Sequence, residues 1–410
     1  MMNILLFDTP QARLALKPFA DTRPLGHIRL GITTLEEKWK RFLPGSYSFL
    51  TAAYLQGKFP YTEVSDLNWC INSTICPDQA LAKAIKQLQP HEQLVQGDTL
   101  IALVVDQPTL QHIRQEGFEG VTLKKITFEG SITQVKHKWD IFLLNEKALR
   151  EDFQWISKDQ ASQPIQDQHT KVYNAADILI EEGASMKAAI LNAAQGPIYI
   201  GKNVTIQEGA IIRGPVALGE GVQVNAGARL YNATTIGPYS KVGGEVSNTV
   251  ILGYSNKAHD GFLGNSVIGE WCNLGAGTNT SNLRNDYHTI KIWDDCQEDF
   301  VRTDLQFCGL FMGDYSRCGI NTMFNTGTVV GVSANLFGAG FFDKFIPSFM
   351  RGGPDNKLMI YRLEKALETI ARMMERRAHQ LTEADKDILA YLSEESIALW
   401  VKLILGQCTL

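Results

Sequence analysis

The sequence predicts an α/β domain, then a parallel β-helix of stacked coils, then a C-terminal helical extension. Three observations carry this reading. Aliphatic residues recur at every sixth position between Ile200 and Gly277, short apolar runs alternate with helical segments before residue 185, and amphipathic segments follow residue 340. The domains are accordingly placed at 1–185, 186–340 and 341–410.

The repeat is the strongest signal. Ile200, Ile206, Ile212, Leu218, Leu230, Ile236 and Val242 stand against Gly201, Gly219, Gly237 and Gly243. Such a spacing fits neither a helix nor the alternation of a long strand, but it suits short strands and turns laid coil on coil. Each coil places its aliphatic residue in a central stack, and turns fall at the glycines. The pattern returns at Met312, Cys318, Phe324, Val330 and Leu336, after inserted loops.

Before the repeat, Asn3 to Phe7 is a short apolar run ending at Asp8, the pattern of a buried first strand. Arg13, Lys17, Arg23 and Arg29 follow it, close to the strand end where α/β sheets bind ligands, and suit a phosphorylated ligand. Thr33 to Phe42 reads as a helix capped by Thr33 with Glu36 three residues on. Leu67 to Ile71 and Leu100 to Val105 read as strands, with a helix over Pro77 to Leu88. Trp139 to Trp155 reads as a strand leading into a helix, and Lys158 to Gln168 as a polar connector. Beyond the coils, Lys357 to Arg377 carries Leu363, Leu367, Ile370 and Met374 on one face, an amphipathic helix. A second helix starts at Thr382, with Asp385 three residues later. Both are expected to cap or flank the β-helix, whose strand edge needs cover.

Composition excludes several classes. With 44% hydrophobic and 20% charged residues and a formal charge of -5, the 410-residue chain is no general nucleic-acid binder. Its seven cysteines form no CxxC pair, which points to free thiols and a reducing cytoplasm. No signal-like N-terminus or membrane-length apolar stretch is evident, so a cytoplasmic protein without membrane partners is expected.

Residues 255 to 283, SNKAHDGFLGNSVIGEWCNLGAGTNTSNL, resemble the acetyltransferase core of the bifunctional N-acetylglucosamine-1-phosphate uridyltransferase/glucosamine-1-phosphate N-acetyltransferase family. The wording NLGAGTNTSNLRND is closer still to archaeal sugar-1-phosphate nucleotidyltransferases with the same acyltransferase domain. The resemblance implies a Rossmann-like nucleotidyltransferase domain followed by a left-handed parallel β-helix of hexapeptide repeats. It also implies a homotrimer with acceptor and coenzyme sites between neighbouring β-helices. Acetyl-CoA is the expected acyl donor, an amino-sugar phosphate the acceptor, and a sugar phosphate with a nucleoside triphosphate and Mg2+ the substrates of the first domain.

The same resemblance assigns roles residue by residue. His259 stands at the catalytic histidine, and an imidazole is suited to taking a proton from an amine near neutral pH. Glu245 matches a glutamate that orients the imidazole or bonds the sugar, and Arg229 an arginine that holds the sugar phosphate. Asn273 matches a substrate-contacting asparagine. Gly275 and Ala276 form the turn whose backbone lies beside the thioester, and Asn282 matches an asparagine that orients the histidine. Departures accompany these matches: Ser247 stands for a phosphate-binding lysine, Phe262 and Leu283 for tyrosines, and His288 lies in a later lysine region.

The first domain departs further. Asp8 to Leu16 lacks the family's glycine-rich loop, so Arg13, Lys17 and Arg23 become its phosphate-binding candidates. Asn72 stands where an aspartate binds Mg2+, and a neutral amide is a poorer ligand for a hard cation. Two other readings stay open: acetyl transfer alone beside a degenerate first domain, and a non-catalytic module that binds a sugar nucleotide or scaffolds a complex.

Overall fold

The computed structural model describes residues 2–405 apart from Ser65 and Glu119. These residues fold as two compact units. One takes the chain up to Arg13, Thr22–Ile28 and Thr33–Lys136; the other takes Leu14–Asp21, Arg29–Ile32 and the chain from His137 on.

The first unit is built on a six-stranded sheet. Met2–Phe7 lies between Gly45–Leu50 and Asn68–Asn72, parallel to both. Thr99–Val105 then pairs antiparallel with Asn68–Asn72 and with Glu92–Gln96, and Lys124–Thr127 closes the edge. Ile4 and Leu6 pack with Trp39, Ile71 and Ile85 in one apolar cluster, while Leu5 and Phe7 pack with Leu103, Leu110 and Ile113 in another. Both faces of the first strand are therefore buried, which is why it reads as an unbroken apolar run. The helix Leu35–Phe42 is capped one residue later than expected: Thr34 accepts from the Glu37 amide, and Glu37 accepts from the Thr34 amide.

The second unit is a parallel β-helix with three faces. Six strands from Lys171–Tyr173 to Phe262–Gly264 form the first face, and nine from Ile178–Ile180 to Phe345–Ile346 the second. The third runs from Ser185–Met186 to Met350–Gly353 and ends in the antiparallel strand Asn356–Ile360. The coils thus begin at Lys171, inside the stretch assigned above to the α/β domain, and extend beyond residue 340. Each face carries an inward column. On the first it is Val172, Leu191, Ile212, Leu230, Val246 and Leu263 in register. On the third, Met186, Ile206, Val224 and Val242 lead to Lys257. Spacing along the chain is six through Val242 and shortens afterwards, so the next inward residues, Val246 and Ile251, fall outside the hexad pattern.

Two segments differ from the sequence-based expectation. Trp139 to Trp155 contains no strand: Asp140–Leu143 and Asn145–Asp159 are helices. Leu149, Phe153 and Ile156 lie at helical spacing and pack on Leu179, Ala217 and Ala233 of the coils, which favours helix over strand. Residues 357–360 are strand rather than helix, because pairing with Met350–Gly353 covers the open edge of the last coil. The amphipathic helix is Leu363–Glu375, and its buried residues are Ala366, Ile370 and Met374. The last helix, Glu383–Ile404, opens with the expected capping box of Thr382 and Asp385. Six cysteines are free thiols, and Cys408 lies outside the described residues. Among the described residues no helix is long and apolar enough to cross a membrane.

Leu230 is fully buried in its column. Leu230→Ala should cost about 2–5 kcal/mol, since transfer and cavity terms add. Chemical denaturation measures it, and a loss well below that range would contradict a close-packed stack.

Candidate functional site

His259 is exposed in the turn that carries the chain from the third face to the first. The turn of the next coil is Gly275–Gly277, and the two stack directly: the Gly277 amide donates to Asp260 O at 3.1 Å. Gly277 has φ of +70° and a Cβ there would meet Asn321 Oδ1 at 2.2 Å, so the tight turn requires glycine. The Gly275 amide donates to Cys318 O. Ala276 N–H has no hydrogen-bond partner among the described residues and is only partly buried, so it is available to a ligand oxygen.

Below this turn sits a residue that sequence reasoning passed over. Lys257 is 2% exposed and takes a place in the inward column of the third face. Its ammonium donates to Gly243 O at 3.0 Å and to His259 O at 2.6 Å. Burial pushes its pKa from 10.5 down to about 8. The signal was a lysine where the column requires an aliphatic residue, hidden because the spacing changes after Val242.

The first face presents Arg229, Glu245 and Phe262 as register partners on successive strands. The Glu245 carboxylate accepts from Tyr231 OH and lies 3.5 Å from Arg229. Burial and that bond push the Tyr231 phenol up to about 12, so it stays protonated and donates. Glu245 therefore holds Arg229 and Tyr231 rather than orienting His259 through a hydrogen bond. Tyr231 was missed although it stands two residues after Arg229, on the same side of one strand.

Asn273 lies on the third face, and its Oδ1 accepts from Asn256 at 3.2 Å. A groove of about 660 Å³ runs beside it and includes His259, Lys241, Arg376 and Arg377. Asn282 lies elsewhere. Its amide donates to Asn265 Oδ1 at 2.8 Å, and it lines a separate depression with Asn232, Asn248 and Asn265. Within one chain Asn282 does not orient His259; its place is in a ladder of turn asparagines.

The expected phosphate and metal residues of the first domain are otherwise engaged. Arg13 bonds Asp8 at 3.0 Å, Thr51 Oγ at 3.0 Å, Tyr54 OH at 2.8 Å and Arg23 O at 3.3 Å. Arg23 is buried in the first unit. Lys17 belongs to the second unit, where the Asp21 carboxylate raises it well above the usual lysine range and Glu395 pairs with it at 3.3 Å. Asn72 Oδ1 accepts from the Thr74 amide and hydroxyl, and its Nδ2 donates to Leu100 O. These atoms close a turn at the strand end and do not fit a Mg2+ site. Among the described residues no group of three or more His, Cys, Asp or Glu side chains could hold a metal.

Stacked parallel coils with a histidine and a glycine turn at one corner, following an α/β unit, define a protein of α/β plus parallel β-helix class. The family model described as sugar nucleotidyl transferase matches residues 4–161. A bifunctional sugar-1-phosphate nucleotidylyltransferase/acetyltransferase of Sulfurisphaera tokodaii is 35% identical over 145 residues, 35% of this chain and 36% of that protein. The bifunctional protein GlmU of Methanocaldococcus jannaschii is 32% identical over 104 residues, 25% of each chain. An uncharacterized acetyltransferase of Escherichia coli, YaiX, is 32% identical over 161 residues, 39% of this chain and 69% of that protein. The alignments with the first two span about a third and a quarter of those relatives. The chain belongs to one family with the YaiX acetyltransferase, which it matches over 69% of that protein's length, and it is similar over shorter stretches to the bifunctional nucleotidyltransferase/acetyltransferases.

Lys257 makes stability depend on pH. Its folded-state pKa is depressed, so the folded chain releases this proton while the unfolded chain still holds it, and stability rises as pH increases from about 8 to 10.5. Lys257→Met should flatten that rise in the thermal midpoint; an unchanged slope would contradict the buried ammonium.

Proposed function

We propose that the second unit transfers an acyl group from acetyl-CoA to an amino-sugar phosphate, with His259 as general base. The observation that carries the reading is the stacking of the turn that holds His259 on the Gly275–Gly277 turn, whose Ala276 amide has no hydrogen-bond partner among the described residues. The acceptor amine attacks the thioester carbonyl, and His259 takes the proton the amine must lose. The Ala276 N–H donates to the developing oxyanion, and the C–S bond breaks to release the thiol of coenzyme A. The cations around this chemistry are Lys257, bonded to His259 O, and Lys241, Arg376 and Arg377 of the groove.

Nucleotidyl transfer by the first unit is supported by the match of residues 4–161 to sugar nucleotidyl transferases, while the residues expected to bind its phosphates and metal are engaged elsewhere. Arg13 and Asn72 spend their polar atoms within the fold, and Lys17 is neutralised by carboxylates. The geometry therefore carries acetyl transfer by the second unit further than nucleotidyl transfer by the first. A homotrimer accords with it, because Asn282 and His259 face different sides of one β-helix and meet only if a second copy supplies one of them.

The test is thiol release from acetyl-CoA with a panel of amino-sugar phosphates. His259→Ala should lower kcat by about 10²–10⁴, the range for a lost general base. Undiminished turnover would remove His259 from the role, and no turnover with any acceptor would favour a binding module.

A further inference from the structure

The groove beside His259 has a chemistry that the acyl-transfer turn does not explain. Among its lining residues are Lys241, Arg376, Arg377 and His379, and no carboxylate. Lys241 shares an outward column of the third face with Gln223 and Asn256. Arg376, Arg377 and His379 come from the chain just after the helix Leu363–Glu375, more than a hundred residues later in sequence.

That segment is held against the coils by specific contacts. The Arg377 guanidinium donates to Asn256 Oδ1 at 2.7 Å and to Tyr239 O, and its carbon lies 5.9 Å from the centre of the Trp271 ring. The His379 ring meets Tyr254 and Trp271 edge-on at 5.2 and 5.3 Å. Tyr239, Tyr254 and Trp271 themselves stack at 5.3 and 4.6 Å. Arg377 thus acts as a strut, while Lys241 and Arg376 stay exposed. Glu220 is engaged by the Tyr239 hydroxyl at 2.6 Å at the groove's edge, so that carboxylate is already bonded, and an anion that joins the exposed cations relieves their mutual repulsion.

We infer that this groove binds the phosphate ester of a substrate, with Lys241 and Arg376 as its direct ligands and Arg377 fixing the C-terminal segment that brings Arg376 into place. The inference rests on the acyl-transfer reading for the identity of the substrate, and it restores on another face the cation lost at Ser247. The phosphate belongs either to the nucleotide end of the acyl donor or to the acceptor sugar. The groove's volume and the partly exposed Tyr239 ring beside it suit either molecule.

The full-length protein is titrated calorimetrically with adenosine bisphosphate, a probe of the donor, and separately with glucosamine 1-phosphate, a probe of the acceptor. At least one should bind, and the double substitution Lys241→Ala, Arg376→Ala should weaken it about tenfold or more, the loss expected of charge-assisted contacts. Both side chains are exposed, so the variant is expected to keep the wild-type thermal midpoint; Lys241→Gln with Arg376→Gln provides a second, bulk-preserving pair. Binding of neither probe, or affinity unchanged in both variants, overturns the inference. His259→Ala separates the two readings: it should lower turnover by about 10²–10⁴ and leave probe affinity intact. Probe binding lost on Lys241 and Arg376 substitution, without any acyl transfer by the wild type, would sustain the phosphate site and remove the enzymatic reading.

Discussion

The inward stack of aliphatic side chains is the constraint on which the second unit depends. Leu230 has no apolar partners within its own short strand; it is shielded because Ile212 lies on one side and Val246 on the other. Each such side chain contributes about 1.5–3 kcal/mol only when both neighbouring coils are present. Register follows from this, because a strand that slipped by one residue would turn its aliphatic side chain outward. Once register is fixed, the turns are stacked too. That is how His259 and Ala276, seventeen positions apart, come to adjacent levels of one corner.

The stack is interrupted where the candidate chemistry lies. Lys257 replaces an aliphatic residue in the third face's column, and its ammonium is accommodated because two backbone carbonyls, of Gly243 and His259, accept its protons. A buried charge with directional bonds fixes the His259 main chain more narrowly than a methyl group would. Local rules broken at one place and compensated there are what a functional corner is expected to show.

Much of this was legible in the sequence, for physical reasons that also mark where legibility ended. The hexad through Val242 reported the coils because one residue per strand must be inward. After Val242 the coils shorten, the period fails, and Val246, Ile251 and Lys257 went unrecognised as inward residues. The capping box of Thr382 was readable since its partners are three residues apart; at Thr33 and Thr34 two candidate caps stand side by side, and only backbone geometry chooses. Arg13, Lys17 and Asn72 misled because a sequence shows a charge or an amide without its partner. Asp8, Glu395 and Thr74 claim them, and Glu395 is 378 residues from Lys17. Distance in sequence likewise hid Arg376 and Arg377, which carry no pattern linking them to Lys241.

The central claim is that the corner formed by His259 and Gly275–Gly277 receives an acyl thioester. A crystal structure with coenzyme A bound tests it most directly. The account predicts the thiol sulfur beside the Ala276 amide and within reach of the His259 ring. Coenzyme A seated elsewhere, with Ala276 N–H and His259 untouched, would contradict it.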